Sequence, residues 1–236
     1  EAVMGVRAQN IERRKRAILA AARGMLARGR PEELKMRELA REAGLSVTTL
    51  YNLFANKDDI LMAIVREGIA SLAPLLERER SRDPLSALEQ MIAGPVAHLV
   101  QHEAVFRPIL RVGYHDIKGR GRAEVVELYA SLLGLIERIL GSARERGLLL
   151  PSAPTRLMAA EIFYTYRLAL EDWICGEIED DALERRISLG ILPLLMAFAH
   201  PPTRAHFAAQ LEALGDAALE DLERRFVPAD AREGAA

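Results

Sequence analysis

The stretch LAREAGLSVTTLYNLFANKDDIL, Leu39 to Leu61, holds side chains suited to reading a nucleic acid rather than to making or breaking bonds. Val47 and the methyl of Thr48 suit apolar contact with thymine methyl groups, and Asn52 carries the amide that pairs with an adenine edge. Lys57 brings positive charge and Tyr51 a hydroxyl donor for phosphate oxygens, and the free amides of the helix that Lys57 opens add to them. Lys35, upstream, can neutralise another phosphate. Arg7, Arg13, Arg14 and Arg16 add positive charge in and before the first helix.

Other groupings point to weaker chemistry. His98 and His102 stand one helical turn apart, a spacing that can chelate zinc, with Glu103, His115 and Asp116 nearby in the chain. The H-E-x-x-H pattern is missing and Cys175 is the one cysteine, so neither a metal nor a cofactor is expected. The loop KGRGRAE, Lys118 to Glu124, lacks the third glycine and the preceding strand of a dinucleotide fingerprint and reads as an exposed basic loop. G-x-S-x-G, a P-loop and a convincing carboxylate or histidine–cysteine cluster are all absent, so the chain is not expected to be an enzyme. An all-helical enzyme, with or without a metal, stays as the alternative, beside an effector-independent DNA binder.

The 236 residues are 50% hydrophobic and 28% charged, an ordinary globular composition with room for a sizeable core. The lone cysteine excludes an internal disulfide framework, and no apolar run of signal-peptide type or of membrane-spanning length is seen; a cytoplasmic protein with no membrane partner is expected. Residues 1 to 66 carry 13 Lys and Arg against 8 Asp and Glu, while the remainder carries 19 against 26. A basic head on an acidic body points to a polyanion as the partner of the head.

The elements that must position these residues are all helices. Ile11, Ile18, Leu19, Ala22, Met25 and Leu26 share one face of a first helix, ended by Gly29 and Pro31. Met36, Leu39, Ala40 and Ala43 give a short second helix stopped by Gly44. Ser46 caps a third, about 47–54, that turns Leu50 and Leu53 or Phe54 inward. Leu45, Leu50 and Leu53 lock this pair together across Ala40, a helix-turn-helix braced by the first helix. Asn56 caps a fourth helix, about 57–79, with Asp58 and Asp59 in its first turn and Pro74 bending or ending it.

Farther on, Asp83-Pro84 opens a fifth helix that Gly94-Pro95 should kink, and a sixth spans about 103–112. Val125 to Ala143 is the cleanest amphipathic series, closed by Gly147, and a last helix covers about 203–226. Segments 155–175 and 183–199 are apolar on more than one face: Leu157, Ala160, Tyr164 and Leu168 form one stripe, and Met158, Ile162, Ala169 and Trp173 another. Two apolar faces call for two partners, the protomer's own core and a second subunit, so a homodimer is expected. Its interface is assigned to Leu157, Ala160, Tyr164, Leu168, Ile191 and Leu195. Periodicity alone leaves open which stripe meets the partner, and leaves open a central helix buried wholly in one protomer.

With these residues in place, Leu39 to Leu61 resembles the TetR family of bacterial transcriptional regulators, whose first helices end in a pattern like IA..AGVS..TLY.HF..K..L. The match covers about Ile11 to Ile69; later only length, helical content and a W..G at Trp173 and Gly176 agree. The resemblance implies that Tyr51 and Lys57 contact phosphates, that Thr49 contacts DNA and that Ser46 caps the recognition helix. The chain departs from the pattern at Val47-Thr48, where Lys-Gly or a similar polar pair is common, at Leu53, where His or Tyr is common, and at Lys35, which replaces a threonine; the aromatic residue usual in the preceding loop is missing.

The resemblance further implies an all-α protein of two parts, a helix-turn-helix domain at 1–56 and an effector-binding and dimerisation domain at 57–236, the fourth helix connecting them. It implies a homodimer on palindromic double-stranded operator DNA, repressing transcription by default and released when a small molecule binds the body. Candidate effector contacts are His98, His102, Phe106, Tyr114, Tyr164, Arg167 and Glu171, set among apolar residues that suit an apolar or amphipathic ligand.

Overall fold

A computed structural model describes residues 2–28, 34–116 and 122–226. The loop holding Gly29, Arg30 and Pro31, the Lys118–Gly121 part of the basic loop and the tail after Pro228 lie outside the described residues. The chain is all-α: α1 (Ala2–Leu26), α2 (Met36–Glu42), α3 (Val47–Leu53), α4 (Lys57–Arg82), α5 (Pro84–Gln101), α6 (Glu103–Asp116), α7 (Arg122–Glu145), α8 (Thr155–Cys175), α9 (Asp180–Phe198) and α10 (Pro201–Phe226). Among the described residues the nearest thing to a sheet is one antiparallel bridge, Leu149 to Ala199, joining the loop after α7 to the loop after α9.

Internal contacts divide the chain into two compact units, one of Glu1–Ser71 with His102–Arg120 and one of Leu72–Gln101 with Gly121–Ala236. The sequence reading divides the chain once, at 56/57; by contact the division falls inside α4, and α6 joins the first unit because it packs on α1.

In the first unit Ile18, Leu19, Ala22 and Leu26 of α1 meet Leu39 and Ala40 of α2, Leu50 of α3 and Ile60, Leu61 and Ile64 of α4, all buried, with Phe106 and Ile109 of α6 buried in the same unit. Two helices as short as α2 and α3 cannot hold themselves in water, so this shared core fixes them. Phe54 is buried beside Leu50, while Leu45 and Leu53 are only half-buried. Gly44 ends α2 at φ +67°, the left-handed region that glycine adopts without strain. Its N–H donates to Arg41 O at 3.1 Å and that of Leu45 to Ala40 O at 2.8 Å, a Schellman closure that turns the chain into α3.

The second unit buries Leu88, Met91 and Ile92 of α5, Ile139 and Leu140 of α7, Met158, Ile162 and Trp173 of α8, and Ile187, Ile191 and Leu195 of α9. α8 ends at Gly176, φ +76°, and the Trp173 indole donates to Asp180 Oδ1 at 2.7 Å, which seats the start of α9. Arg185 of α9 pairs with Asp221 of α10 at 2.7 Å and with Asp181 at 3.0 Å.

Pro74 does not end α4, which runs on to Arg82: a proline removes one helix bond, and Leu76 just beyond it remains buried. α5 likewise is one helix through Pro95.

Candidate nucleic-acid interface

The short third helix is turned so that its buried residue, Leu50, faces the core while Thr48, Tyr51 and Asn52 face solvent. Tyr51 is 51% exposed, a large side chain that the core does not claim. Val47 and Thr49 are half-buried on the flanks. The sequence-expected cap is present: Ser46 Oγ accepts the Thr49 N–H at 3.1 Å. The Thr49 hydroxyl is tied to the same group, its oxygen 2.8 Å from Ser46 Oγ, so part of its hydrogen-bonding capacity is spent inside the protein.

α4 starts where a second cap places it. Asn56 Oδ1 accepts the Asp59 N–H at 2.9 Å, and Asp59 Oδ2 accepts the Ala55 N–H at 3.0 Å. Lys57 is therefore the first helical residue, half-buried, beside backbone amides that have no intrahelical acceptor and favour an anion. Asp58 and Asp59 follow, and their carboxylates offset part of that field. Lys35 sits exposed at the start of α2 with its ammonium 3.8 Å from Glu38, a solvent-screened pair worth little, so it stays available to a phosphate. Arg13, Arg14 and Arg16 are exposed on α1; the side chain of Arg7 lies outside what the structure describes. Arg23 and Arg28, equally basic in sequence, are engaged within the head, Arg23 with Glu67 at 2.5 Å and Arg28 with Glu42 at 2.9 Å.

The body candidates fall apart into two sets. His102, Phe106 and Tyr114 belong to the first unit and His98, Tyr164, Arg167 and Glu171 to the second. Phe106 is buried with the exposed His102 ring edge-on to it at 6.3 Å, His98 is half-buried, and the side chain of Tyr114 lies outside what the structure describes. Tyr164, Arg167 and Glu171 are exposed, which corrects their expected place inside the body. The reason is helical phase: Met158, Ile162, Ala169 and Trp173 take the inner face, and residues half a turn away point outward. Glu103 is paired with Arg107 at 2.8 Å, and among the described residues no three metal-ligating side chains come together.

The interface candidates divide as sharply. Leu157, Tyr164 and Leu168 are 68%, 56% and 50% exposed, and Ala160 is half-buried among them. Ile191 and Leu195, placed in the interface by sequence, are wholly buried in their own unit and belong to its core. α9 offers Gly190, Pro193 and Ala197 to solvent instead. At Gly190 α9 lies close to α8, since a Cβ there would stand 2.5 Å from Thr165 Cγ2.

Sequence reasoning missed Tyr166. Its buried hydroxyl donates to the Met91 carbonyl of α5 and lies 2.6 Å from the Ile92 carbonyl. The signal within reach was Pro95, whose missing N–H leaves the carbonyl four residues back without its helix partner.

Residues 18–64 match the family described as bacterial regulatory proteins, tetR family. The fold is similar to a TetR-family transcriptional regulator from Mesorhizobium loti, at 16% identity and a TM-score of 0.61, covering 80% of this chain and 98% of that one. It is similar to SmeT, the repressor of the Stenotrophomonas maltophilia multidrug efflux pump SmeDEF, at 23% identity and 0.61, covering 80% and 92%. It is also similar to Thermus thermophilus FadR, a transcriptional repressor in complex with lauroyl-CoA, at 20% identity and 0.61, covering 77% and 93%.

Proposed function

We propose that this chain, a member of the TetR family of bacterial regulatory proteins by its matched head and its fold, is a homodimeric repressor that binds a palindromic operator and leaves it when a small apolar or amphipathic molecule binds the body. The observation that carries the reading is the presentation of Thr48, Tyr51 and Asn52 on the outer side of a helix whose other side is locked into the head. In this reading Val47, Thr48 and Asn52 meet base edges. Tyr51, Lys57 and Lys35 meet phosphates, with Ser46 and Thr49 fixing the start of the helix.

The exposed Leu157–Tyr164–Leu168 stripe supports the dimer, because three large apolar side chains on one helix face gain by covering one another. Two-fold pairing would set two recognition helices at successive major grooves, about 34 to 36 Å apart or a whole-turn multiple of that. The complexes of similar folds, FadR with lauroyl-CoA and SmeT with triclosan, favour the apolar or amphipathic class of effector.

The test is selection of duplexes from random-sequence DNA by the purified protein, followed by sequencing. A shared motif with two inverted half-sites is expected; recovery of unrelated sequences at the frequency of the input would sink the reading.

A further inference from the structure

Pro95 interrupts the hydrogen-bond ladder of α5 beside buried residues. Its nitrogen has no proton, so the Met91 carbonyl loses the helix bond that residue 95 would have given it. Met91 and Ile92 are 2% and 5% exposed, and a buried carbonyl without a donor is costly. The donor comes from another helix: the Tyr166 hydroxyl of α8 gives its single proton to Met91 O, with Ile92 O 2.6 Å from the same oxygen. Burial, and secondarily the charge of Glu184, pushes the Tyr166 hydroxyl pKa upward, which keeps that proton in place.

The position of this repair in the chain gives it a meaning beyond packing. Gly94 and Pro95 together make the weakest point of α5, since glycine favours the helix little and proline removes a bond. Past Pro95, α5 runs only to Gln101; at His102 the chain leaves the second compact unit for the first, where α6 packs on α1. The hydroxyl therefore clamps α5 just before the segment that enters the DNA-binding unit.

We infer that Pro95 and Tyr166 form a latched hinge, in which the Tyr166 hydroxyl stands in for the backbone donor that Pro95 lacks and holds α5 in the arrangement that binds DNA. This rests on the regulator reading above. Opening the latch lowers operator affinity without touching any group that meets DNA.

Four proteins test it: the wild type, Tyr166→Phe, Pro95→Ala and the double variant. Each is titrated against a duplex enriched from random-sequence DNA by the wild type, and each is melted to check folding. Tyr166→Phe is expected to lose about fivefold in affinity, the effect of one coupling hydrogen bond. In the Pro95→Ala background the restored N–H serves Met91, and the same change should alter affinity by less than about twofold. An equal loss in both backgrounds, or wild-type affinity in Tyr166→Phe, overturns the inference while leaving the regulator reading intact. If Tyr166→Phe is too unstable to titrate, the double variant should fold where it does not; failure of both to fold overturns the latch. If the wild type enriches no duplex, the regulator reading falls and this one with it.

Discussion

Replacing Leu168 by alanine tests the dimer at a side chain that the protomer itself only half buries. The side chain is half exposed, so the folded protomer draws only part of its burial energy from it. Fully burying a leucine is worth about 1.5–3 kcal/mol, so covering the exposed half with a second copy contributes about 1 kcal/mol in each protomer. A two-fold interface meets itself, so one substitution is felt twice and the loss is about 2 kcal/mol. That raises the dimer dissociation constant about 30-fold. Sedimentation equilibrium across a concentration series reads this directly, and a thermal melt of the variant at low concentration confirms that the protomer is folded. Leu219 on α10 is 59% exposed and serves as the control, since it lies off the stripe. Equal dissociation constants for wild type and Leu168→Ala, or equal weakening by Leu168→Ala and Leu219→Ala, would refute the assignment of the stripe to the interface.

Three further outcomes follow from the geometry. Lys57→Ala should weaken binding to all duplexes alike and reduce the slope of log affinity against log salt by about one, as expected for one lost phosphate contact; a slope unchanged across a salt series contradicts that role. Gly44→Ala should cost about 1 kcal/mol in head stability from the positive φ alone, because an added Cβ meets nothing within 4 Å; a melt that does not move would show that the turn relaxes freely. Glu77 accepts hydrogen bonds from Arg138 and Arg80, each at 2.6 Å, and the Arg138 bond first holds its carboxyl below the usual carboxylate range. A pKa depressed on folding stabilises the protein above the ordinary carboxylate range and ceases to do so as pH falls through the folded value. Glu77→Gln should therefore lose up to about 1 kcal/mol at neutral pH, the pair being partly solvent-screened, with the gap to wild type closing in acid. A gap that widens in acid reverses the sign of the argument.

The head was legible in the sequence because its signals are local. Gly44, the Ser46 cap and the Asn56 cap lie next to what they control, and each makes the contact its residue type implies. α8 was half legible: its two stripes follow from spacing, yet which one is buried depends on where α7 and α9 pack, and the Met158–Trp173 stripe took the core. The same ambiguity misplaced Ile191 and Leu195, since a helix apolar on several faces carries no phase in its sequence. It also misplaced Arg167 and Glu171, which share the outward face with Leu168. Tyr166 was illegible because its partner is a carbonyl 75 residues away, reachable only once α5 and α8 are packed in one unit.

The most direct test of the central claim is the stoichiometry of a competitor-resistant complex between the purified protein and DNA from upstream of its own coding sequence, read by mobility shift with protein of known concentration. The account predicts a discrete complex of two protomers per site that survives excess nonspecific duplex. Binding that competitor and moderate salt erase together, with no discrete species, would contradict it.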